Sequence, residues 1–336
     1  MTGTRQVTET GETGEEVAPI TESPRPKPFF AAFGECMIEI TERGGIIKQG
    51  FGGDSLNTLL YLARLLPQYR GRLYYLTALG SDHFSTSMLK SWQNEGLCVD
   101  LVEQLPAELP GLYYVRTDAG GERQFFYWRD QSAVRRVFTP AFHTRAVRTL
   151  KAVQAFYFTG ISLAILSTTG RRRLLSLVEK LRRRGARIIF DSNYRARLWA
   201  SADEARSTIG DALPLVDMAL VSFSDEHQLH GDTDPAAVCR RLAQNGIGEV
   251  VVKNGGEPCH VALAGEVEEF PLTVRAKPID TTAAGDAFNA AYLAARMHGQ
   301  PTRRAVTLGN LVSSQVVQYP GAIIPVEKMP AFEDLT

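Results

Sequence analysis

The segment "IDTTAAGDAFNAAYLAARMHG", beginning at Ile279, enters an alanine-rich helical stretch through two threonines, two alanines, a glycine and then Asp286. Small residues at a helix start let backbone N–H groups converge where the helix dipole adds partial positive charge. That combination binds anions, and phosphate in particular. Ala283, Ala284 and Gly285 would line such an anion hole, with the Asp286 carboxylate beside it. Phosphoryl transfer asks for an in-line nucleophile, charge stabilisation and a group that accepts the hydroxyl proton. This loop offers the last two. A plain helix cap with packing alanines explains the loop equally well when it is taken alone.

Other stretches carry donors suited to such chemistry. In "GFGGDSLN", Gly52 and Gly53 would admit a ligand close to the backbone and Asn57 would offer an amide to a sugar hydroxyl, although a lone glycine pair is more often a simple turn. As a nucleotide motif it reads GxGxxS rather than GxGxxG, and no GKS or GKT sequence occurs, so an ATP-using enzyme here is not a P-loop protein. "DSNYRARLW" holds two arginines two residues apart, and "FFYWRD" holds another beside aromatics. A guanidinium fork suits a carboxylate because it donates two parallel hydrogen bonds. Surface pairing is the ordinary role of arginine; Arg195 and Arg129 stand out by their positions at strand ends. "VVVKNGG" ends a strand with Lys253, Gly255 and Gly256, which suit phosphates or ribose or equally a turn. His227 and His230 are loosely spaced with no third ligand following, a poor basis for a metal site. The arginine runs 171–173 and 182–184 flank an amphipathic helix with Leu174, Leu177, Val178 and Leu181 on its apolar side, which reads as a solvated basic face.

The elements that must position these groups alternate. "FFAAFGECMIEIT" begins with the first strand, and "DSLNTLLYLARLL" follows with apolar residues at helical spacing. "RLYYLTALG", "AFYFTGIS", "ARIIFDSNY", "DMALVSFS" and "EVVVKNGG" read as further strands, separated by helical stretches such as "HFSTSMLKSWQNEG" and "AAVCRRLAQNG". Short apolar strands alternating with amphipathic helices predict a doubly wound, mostly parallel sheet with helices on both faces. Ligands of such sheets sit outside the carboxyl ends of the strands, where the motifs above fall. "LPGLYYVRTDAGGERQFFYWRD" differs: two β-rich runs around "DAGGE" predict a hairpin. With the segment after the first strand it is expected to form a small β lid, about 37–51 and 110–129, within one α/β domain spanning 29–334.

The 336-residue chain is 44% hydrophobic, ample for a sizeable core. Its 37 basic and 37 acidic residues balance, which gives no electrostatic reason to expect nucleic acid or an anionic membrane as partner. Cys36, Cys98, Cys239 and Cys259 are scattered without a CxxC pair, as in free thiols of a reducing compartment. No run of about 18 apolar residues offers a membrane span. Residues 1–28 lack the apolar core of a signal peptide and read as a disordered tail rich in Thr, Gly, Glu and Pro. A cytoplasmic location is the expectation.

"DTTAAGDAF" resembles the C-terminal signature of the ribokinase-like (PfkB) carbohydrate kinases, and "GGDSLN" resembles their N-terminal glycine motif. The likeness continues through "GECMIEI", "ALGSDHFS", "LPGLYY", "GERQFFYWRD", "GISLAILS", "FDSNYRARLWAS" and "VVQYPGAIIP", covering about Phe33 to Pro330. Within the family, "NYRARLW" and "FYWR" look most like the branch acting on 2-keto-3-deoxygluconate. The resemblance implies ATP-dependent phosphorylation of 2-dehydro-3-deoxy-D-gluconate at its C6 hydroxyl, with magnesium. By position it implies Asp286 as catalytic base and Ala283, Ala284 and Gly285 as anion hole. Gly53, Asn57, Tyr113 or Tyr114, Tyr127, Arg129, Ile161 and Arg195 fall in the substrate pocket, and Ser224, Lys253, Gly255, Gly256 and Asn310 at nucleotide contacts. Removing Arg129 or Arg195 is then expected to raise KM for the sugar acid far more than for ATP.

Two positions depart from the family pattern. The anion hole usually reads GAGD, and here Ala283 replaces the first glycine. The magnesium-linked NxxE motif appears as "SDEH" with His227 where Glu is usual, so that either Glu226 takes over the metal or the ion is held through water and phosphate. The family resemblance also implies a homo-oligomer paired through the lids, whose exposed strand edge needs covering. A kinase of another sugar, fructose or ribose-like, is the near alternative. An NAD-dependent dehydrogenase is disfavoured by the missing GxGxxG after the first strand, and a sugar-acid sensor without turnover is disfavoured by the anion hole and Asp286 together.

Overall fold

The computed structural model describes residues 27, 29–117 and 123–330. The expected N-terminal tail (apart from Lys27) and the hairpin turn 118–122 lie outside the described residues.

The main sheet is built from β1 (Phe30–Phe33), β4 (Leu73–Leu79), β5 (Leu97–Cys98), β6 (Val102–Gln104), β9 (Ala155–Thr159), β10 (Arg187–Asp191), β11 (Met218–Ser222), β12 (Glu249–Lys253), β13 (Cys259–Leu263) and β14 (Glu266–Phe270). Between β1 and β4 the chain forms β2 (Met37–Arg43), β3 (Ile46–Gly52) and α1 (Asp54–Leu65); β7 (Leu112–Thr117) and β8 (Arg123–Trp128) follow β6. The other helices are α2 (His83–Asn94), α3 (Pro140–Thr149), α4 (Gly160–Ala164), α5 (Thr168–Arg183), α6 (Ala202–Ala212), α7 (Phe223–His230), α8 (Pro235–Gln244), α9 (Ala284–Met297) and α10 (Thr302–Val316).

The sheet order is β14-β13-β12-β11-β10-β9-β1-β4-β5, with β6 also paired to β4. Strands from β12 through β4 run parallel, and β13 and β14 add an antiparallel edge. That edge hairpin turns through Ala264 and Gly265, both at positive φ as a tight two-residue hairpin requires. Parallel strands covered on both faces are uniformly apolar, and β1, β4 and β9 are buried throughout. Their side chains alternate between two cores. Ala31, Phe33, Phe156 and Phe158 face α3, α5, α6 and α8, whereas Phe30, Ala32 and Tyr157 face α1, α2, α9 and α10. The doubly wound sheet expected from the alternation is therefore present. No described helix is long and apolar enough to cross a membrane, and all four cysteines are free.

The second, smaller sheet has the order β3-β2-β7-β8. One face turns Met37, Tyr113, Val115 and Tyr127 inward as a small cluster. On the other, Ile47, Phe126 and Trp128 are exposed by 66%, 44% and 62%. The chain reverses direction across the main sheet at β1, with β4 on one side and β9 on the other, so the lid's connections spring from the switch point where such sheets bind ligands.

Candidate active site

The carboxyl ends of the parallel strands, the lid and the starts of α1 and α9 enclose a cavity of about 850 Å³. That volume suits small-molecule and cofactor sites.

Asp286 lies in the first turn of α9. The loop before it is tied down by Asp280, whose carboxylate accepts from the backbone N–H of Thr282 at 2.8 Å and of Gly321 at 3.0 Å. Ala283 caps the helix at φ 59°, the left-handed region that glycine enters without strain. The N–H of Ala284 turns back to the Thr281 carbonyl at 3.2 Å. First-turn N–H groups have no intrahelical acceptor, so with Ala284 turned back, the N–H groups of Ala283, Gly285 and Asp286 are the open donors of this helix start. Of the Ala283–Gly285 span expected from sequence, only the Ala284 N–H is spent, and the Asp286 N–H adjoins the two that stay open.

Three further residues converge beneath this turn. Asn57, one turn into α1, donates through Nδ2 to Asp286 Oδ2 at 2.8 Å. Asp191, the last residue of β10, accepts from Lys253 Nζ at 2.9 Å and from Asn289 Nδ2 at 2.8 Å. Asp54, at the start of α1, accepts from Thr159 Oγ1 at 2.6 Å and Asn193 Nδ2 at 2.9 Å. Burial, reinforced by the Asp54 and Asp191 charges, pushes the Asp286 carboxyl up to about 7 against the opposing pull of Asn57 and Lys253. Burial likewise raises Asp54, with its Thr159 and Asn193 bonds opposing. A carboxyl titrating near neutrality suits reversible proton transfer.

The cavity brings together most residues singled out in the sequence. Gly53, Asn57, Tyr113, Tyr127, Ile161 and Arg195 line it from the lid and the switch point. Lys253, Gly255, Gly256, Ser224 and Asn310 line it from β12, α7 and α10, together with Ala283, Ala284, Gly285 and Asp286. Asn310 is 7% exposed, and its Nδ2 has no hydrogen-bond partner among the described residues. Arg195 donates to both Asp225 oxygens at 3.3 Å and to the Tyr194 carbonyl at 2.7 Å.

Three expected residues stand elsewhere. Tyr114 sits one residue from Tyr113 in a strand, so it points to the opposite face, where it donates to Glu42. Arg129 is buried under the lid in an ion pair with Glu35 and does not line the cavity. Glu226, expected as the metal carboxylate, is 2% exposed and accepts from Arg241 at 2.6 Å. Neighbours on a helix lie about 100° apart, and it is Asp225 that faces the cavity. Sequence reading thus named the residue of "SDEH" that turns away from the cavity. It also passed over Asp54, Asp191 and Asn289. Asp54 lay inside the quoted glycine motif, and Asp191 and Asn289 carry no local signal beyond ending a strand or following Asp286 by three residues.

Comparison with known proteins identifies the family. Residues 28–329 match the pfkB family carbohydrate kinase model. The chain is 43% identical over 305 residues to a 2-dehydro-3-deoxygluconokinase of Dickeya dadantii, covering 90% of this chain and 98% of that one. It is 44% identical over 305 residues to a 2-dehydro-3-deoxygluconokinase of Escherichia coli (strain K12), covering 90% and 99%. Its fold is similar to that of a putative ribokinase II from E. coli in complex with ATP and Mg²⁺, with a TM-score of 0.77 and 22% identity over 92% of this chain and 97% of that one. With the family model spanning nearly all described residues, the chain belongs to the pfkB family of carbohydrate kinases.

Proposed function

We propose that this protein is a 2-dehydro-3-deoxygluconokinase, transferring the γ-phosphoryl group of ATP to the C6 hydroxyl of 2-dehydro-3-deoxy-D-gluconate to give 2-dehydro-3-deoxy-6-phosphogluconate. The observation that carries the reading is one cavity holding Asp286 at an open helix start and Arg195 on its wall. The identity to two 2-dehydro-3-deoxygluconokinases, over nearly the whole length of each, supports the substrate.

The sugar acid binds on the lid side. Arg195 takes its carboxylate by a forked pair of hydrogen bonds, exchanging its contacts with Asp225. Asp54 and Asn57 accept from and donate to sugar hydroxyls, and Tyr113 and Tyr127 close over the carbon chain. The C6 oxygen attacks the γ-phosphorus while the bond to the bridging oxygen of the β-phosphate breaks, its electron pair leaving with ADP. Asp286 takes the hydroxyl proton as the new P–O bond forms. The N–H groups of Gly285 and Asp286 receive the developing charge on the phosphoryl oxygens. Gly255, Gly256, Ser224 and Asn310 hold the nucleotide, the unpartnered Asn310 amide finding its acceptor there.

Magnesium fits this wall as a hard cation using one or two carboxylates plus phosphate oxygens and water. Asp225 is the carboxylate suited to it, because Glu226 is committed to Arg241. The bound ion would neutralise nucleotide phosphate charge. We assign the chain to a homo-oligomer joined through the lids, supported by the exposed Ile47, Phe126 and Trp128; a monomer by light scattering at micromolar concentration refutes that. Dependence on ATP assigns the work to the cytoplasm.

The test is ADP release with magnesium and ATP, offering 2-dehydro-3-deoxy-D-gluconate, gluconate, fructose and ribose in parallel, with Asp286→Asn as control. Turnover confined to the keto-deoxy acid and lost in Asp286→Asn is expected. Turnover on a neutral sugar instead overturns the substrate assignment.

A further inference from the structure

Lys253 ends β12 with its ammonium largely enclosed, 12% exposed as a side chain. Two of its three donors are spent on separate elements. One goes to Asp191 Oδ2 at the end of β10 at 2.9 Å, the other to Asn289 Oδ1 on α9 at 2.8 Å. Asn289 is fully buried and is itself fixed, because its Nδ2 donates to Asp191 Oδ2 at 2.8 Å and to the Tyr157 hydroxyl at 3.2 Å. The three side chains form a closed triangle, so the ammonium has lost the mobility of an ordinary lysine. Its third donor has no partner among the described residues.

That ammonium stands against the helix start of the reaction site. A Cβ placed on Gly285 would meet Lys253 Nζ at 3.5 Å. Lys253 lines the same cavity as Gly285 and Asp286, and its charge opposes the rise of the Asp286 carboxyl. An anion seated on the open N–H groups of Gly285 and Asp286 therefore lies beside a fixed positive charge with one hydrogen bond still to give.

We propose that Lys253 is a catalytic residue that bonds the γ-phosphoryl group through its third donor and stabilises the charge on that group during transfer, with Asp191 and Asn289 as its positioning residues. The proposal rests on the phosphoryl-transfer reading of the site. It assigns Lys253 to the group that leaves the nucleotide rather than to the nucleotide that remains. Bond changes are those of the transfer itself: the C6 oxygen gains phosphorus, ADP departs with the bridging oxygen, and the lysine neither gains nor loses a proton. Charge stabilisation already in position at the moment of reaction is the kind that accelerates phosphoryl transfer most.

The consequence is discrimination between nucleotides with and without a third phosphoryl group. Lys253→Met leaves Asp191 buried and unpaired, which endangers the fold, so the paired variant Lys253→Met/Asp191→Asn is measured beside it, with Asn289→Ala as the variant that only loosens the clamp. Binding of the non-hydrolysable analogue AMP-PNP and of ADP, both with magnesium, is followed by titration calorimetry. The paired variant is expected to bind AMP-PNP at least tenfold more weakly than wild type while ADP changes less than twofold. Its kcat falls by about 10²–10³, the range seen when one charge-stabilising donor is removed, and Asn289→Ala shows the same preference loss at smaller size. Equal weakening of AMP-PNP and ADP makes Lys253 a general nucleotide contact and overturns the proposal. Unchanged binding of both, with only a lowered Tm, makes the triangle purely structural and overturns it too. Because neither nucleotide measurement uses the sugar acid, a wrong substrate assignment leaves these outcomes intact.

Discussion

The amide of Asn57 on α1 donates to the carboxylate of Asp286 on α9 at 2.8 Å, joining helices more than two hundred residues apart in sequence. The bond favours the ionised carboxylate, whereas burial and the Asp54 and Asp191 charges disfavour it, and the outcome is a carboxyl near 7. As a base Asp286 works only when ionised, so kcat/KM is expected to rise tenfold per pH unit below about 7 and to level above it. Asn57→Ala removes a stabiliser of the charged form, which moves the rising limb to higher pH. An unmoved limb in that variant separates Asn57 from the base.

The same balance has a consequence for stability. Asp286 is raised in the folded state above its unfolded value of about 3.9, so the fold binds this proton more tightly than the unfolded chain does. The group therefore costs nothing below about pH 4, costs progressively more up to about pH 7, and levels off above it. Asp286→Asn keeps the shape and abolishes the charge. It is expected to raise Tm above wild type at pH 8 and to match it near pH 4, while abolishing turnover. A Tm difference independent of pH contradicts the shift.

Arg129 was expected to meet the substrate carboxylate, and its guanidinium instead pairs with Glu35 beneath the lid. Glu35 lies between β1 and β2 and Arg129 directly after β8, so the pair braces two of the connections that carry the lid. Glu35 Oε1 and Arg129 Nε have no hydrogen-bond partner among the described residues, and breaking a buried pair of this kind costs about 3–5 kcal/mol. Arg129→Met is expected to lower Tm sharply, and Arg129→Met with Glu35→Gln to recover part of the loss. A raised KM for the sugar acid with Tm unchanged would instead return Arg129 to the substrate. Arg195→Met, on the cavity wall, is expected to show that second pattern.

The contrast between these arginines marks how far the sequence reaches. Local periodicity was enough for the main sheet, because a strand buried on both faces must be apolar throughout, as β1, β4 and β9 are. Motif chemistry was enough for Asp286, Asn57 and Arg195, whose positions at element starts or strand ends aim them at one cavity. It failed where direction mattered. Tyr113 and Tyr114, or Asp225 and Glu226, are adjacent in sequence and chemically equivalent, and only strand alternation or helical rotation in three dimensions tells them apart. The Lys253–Asp191–Asn289 triangle joins three elements across the sheet, and no local pattern encodes such a closure.

Two small residues at the site answer to different demands. At Gly53 an added Cβ would lie 1.9 Å from the backbone carbonyl oxygen of Glu35, a contact that neither chain segment can relieve by a rotamer change. The glycine of "GFGGDSLN" therefore serves the close approach of α1 to the lid connection, in addition to leaving room for a ligand. Gly53→Ala is expected to lower soluble yield and Tm severely, whereas Gly256→Ala, with nothing within 4 Å of its added Cβ, is expected to fold normally. Ala283 is the reverse case: it already holds the left-handed conformation at φ 59°, which costs an L-residue about 1–2 kcal/mol. Glycine there relieves that strain but loses about 0.4–1 kcal/mol through the freer unfolded chain. Ala283→Gly is accordingly expected to change stability by between about 0 and +1.6 kcal/mol in chemical denaturation and to leave kcat within threefold of wild type. A destabilised Ala283→Gly would mean that the alanine methyl, packed against the core beside α9, outweighs the backbone strain it imposes.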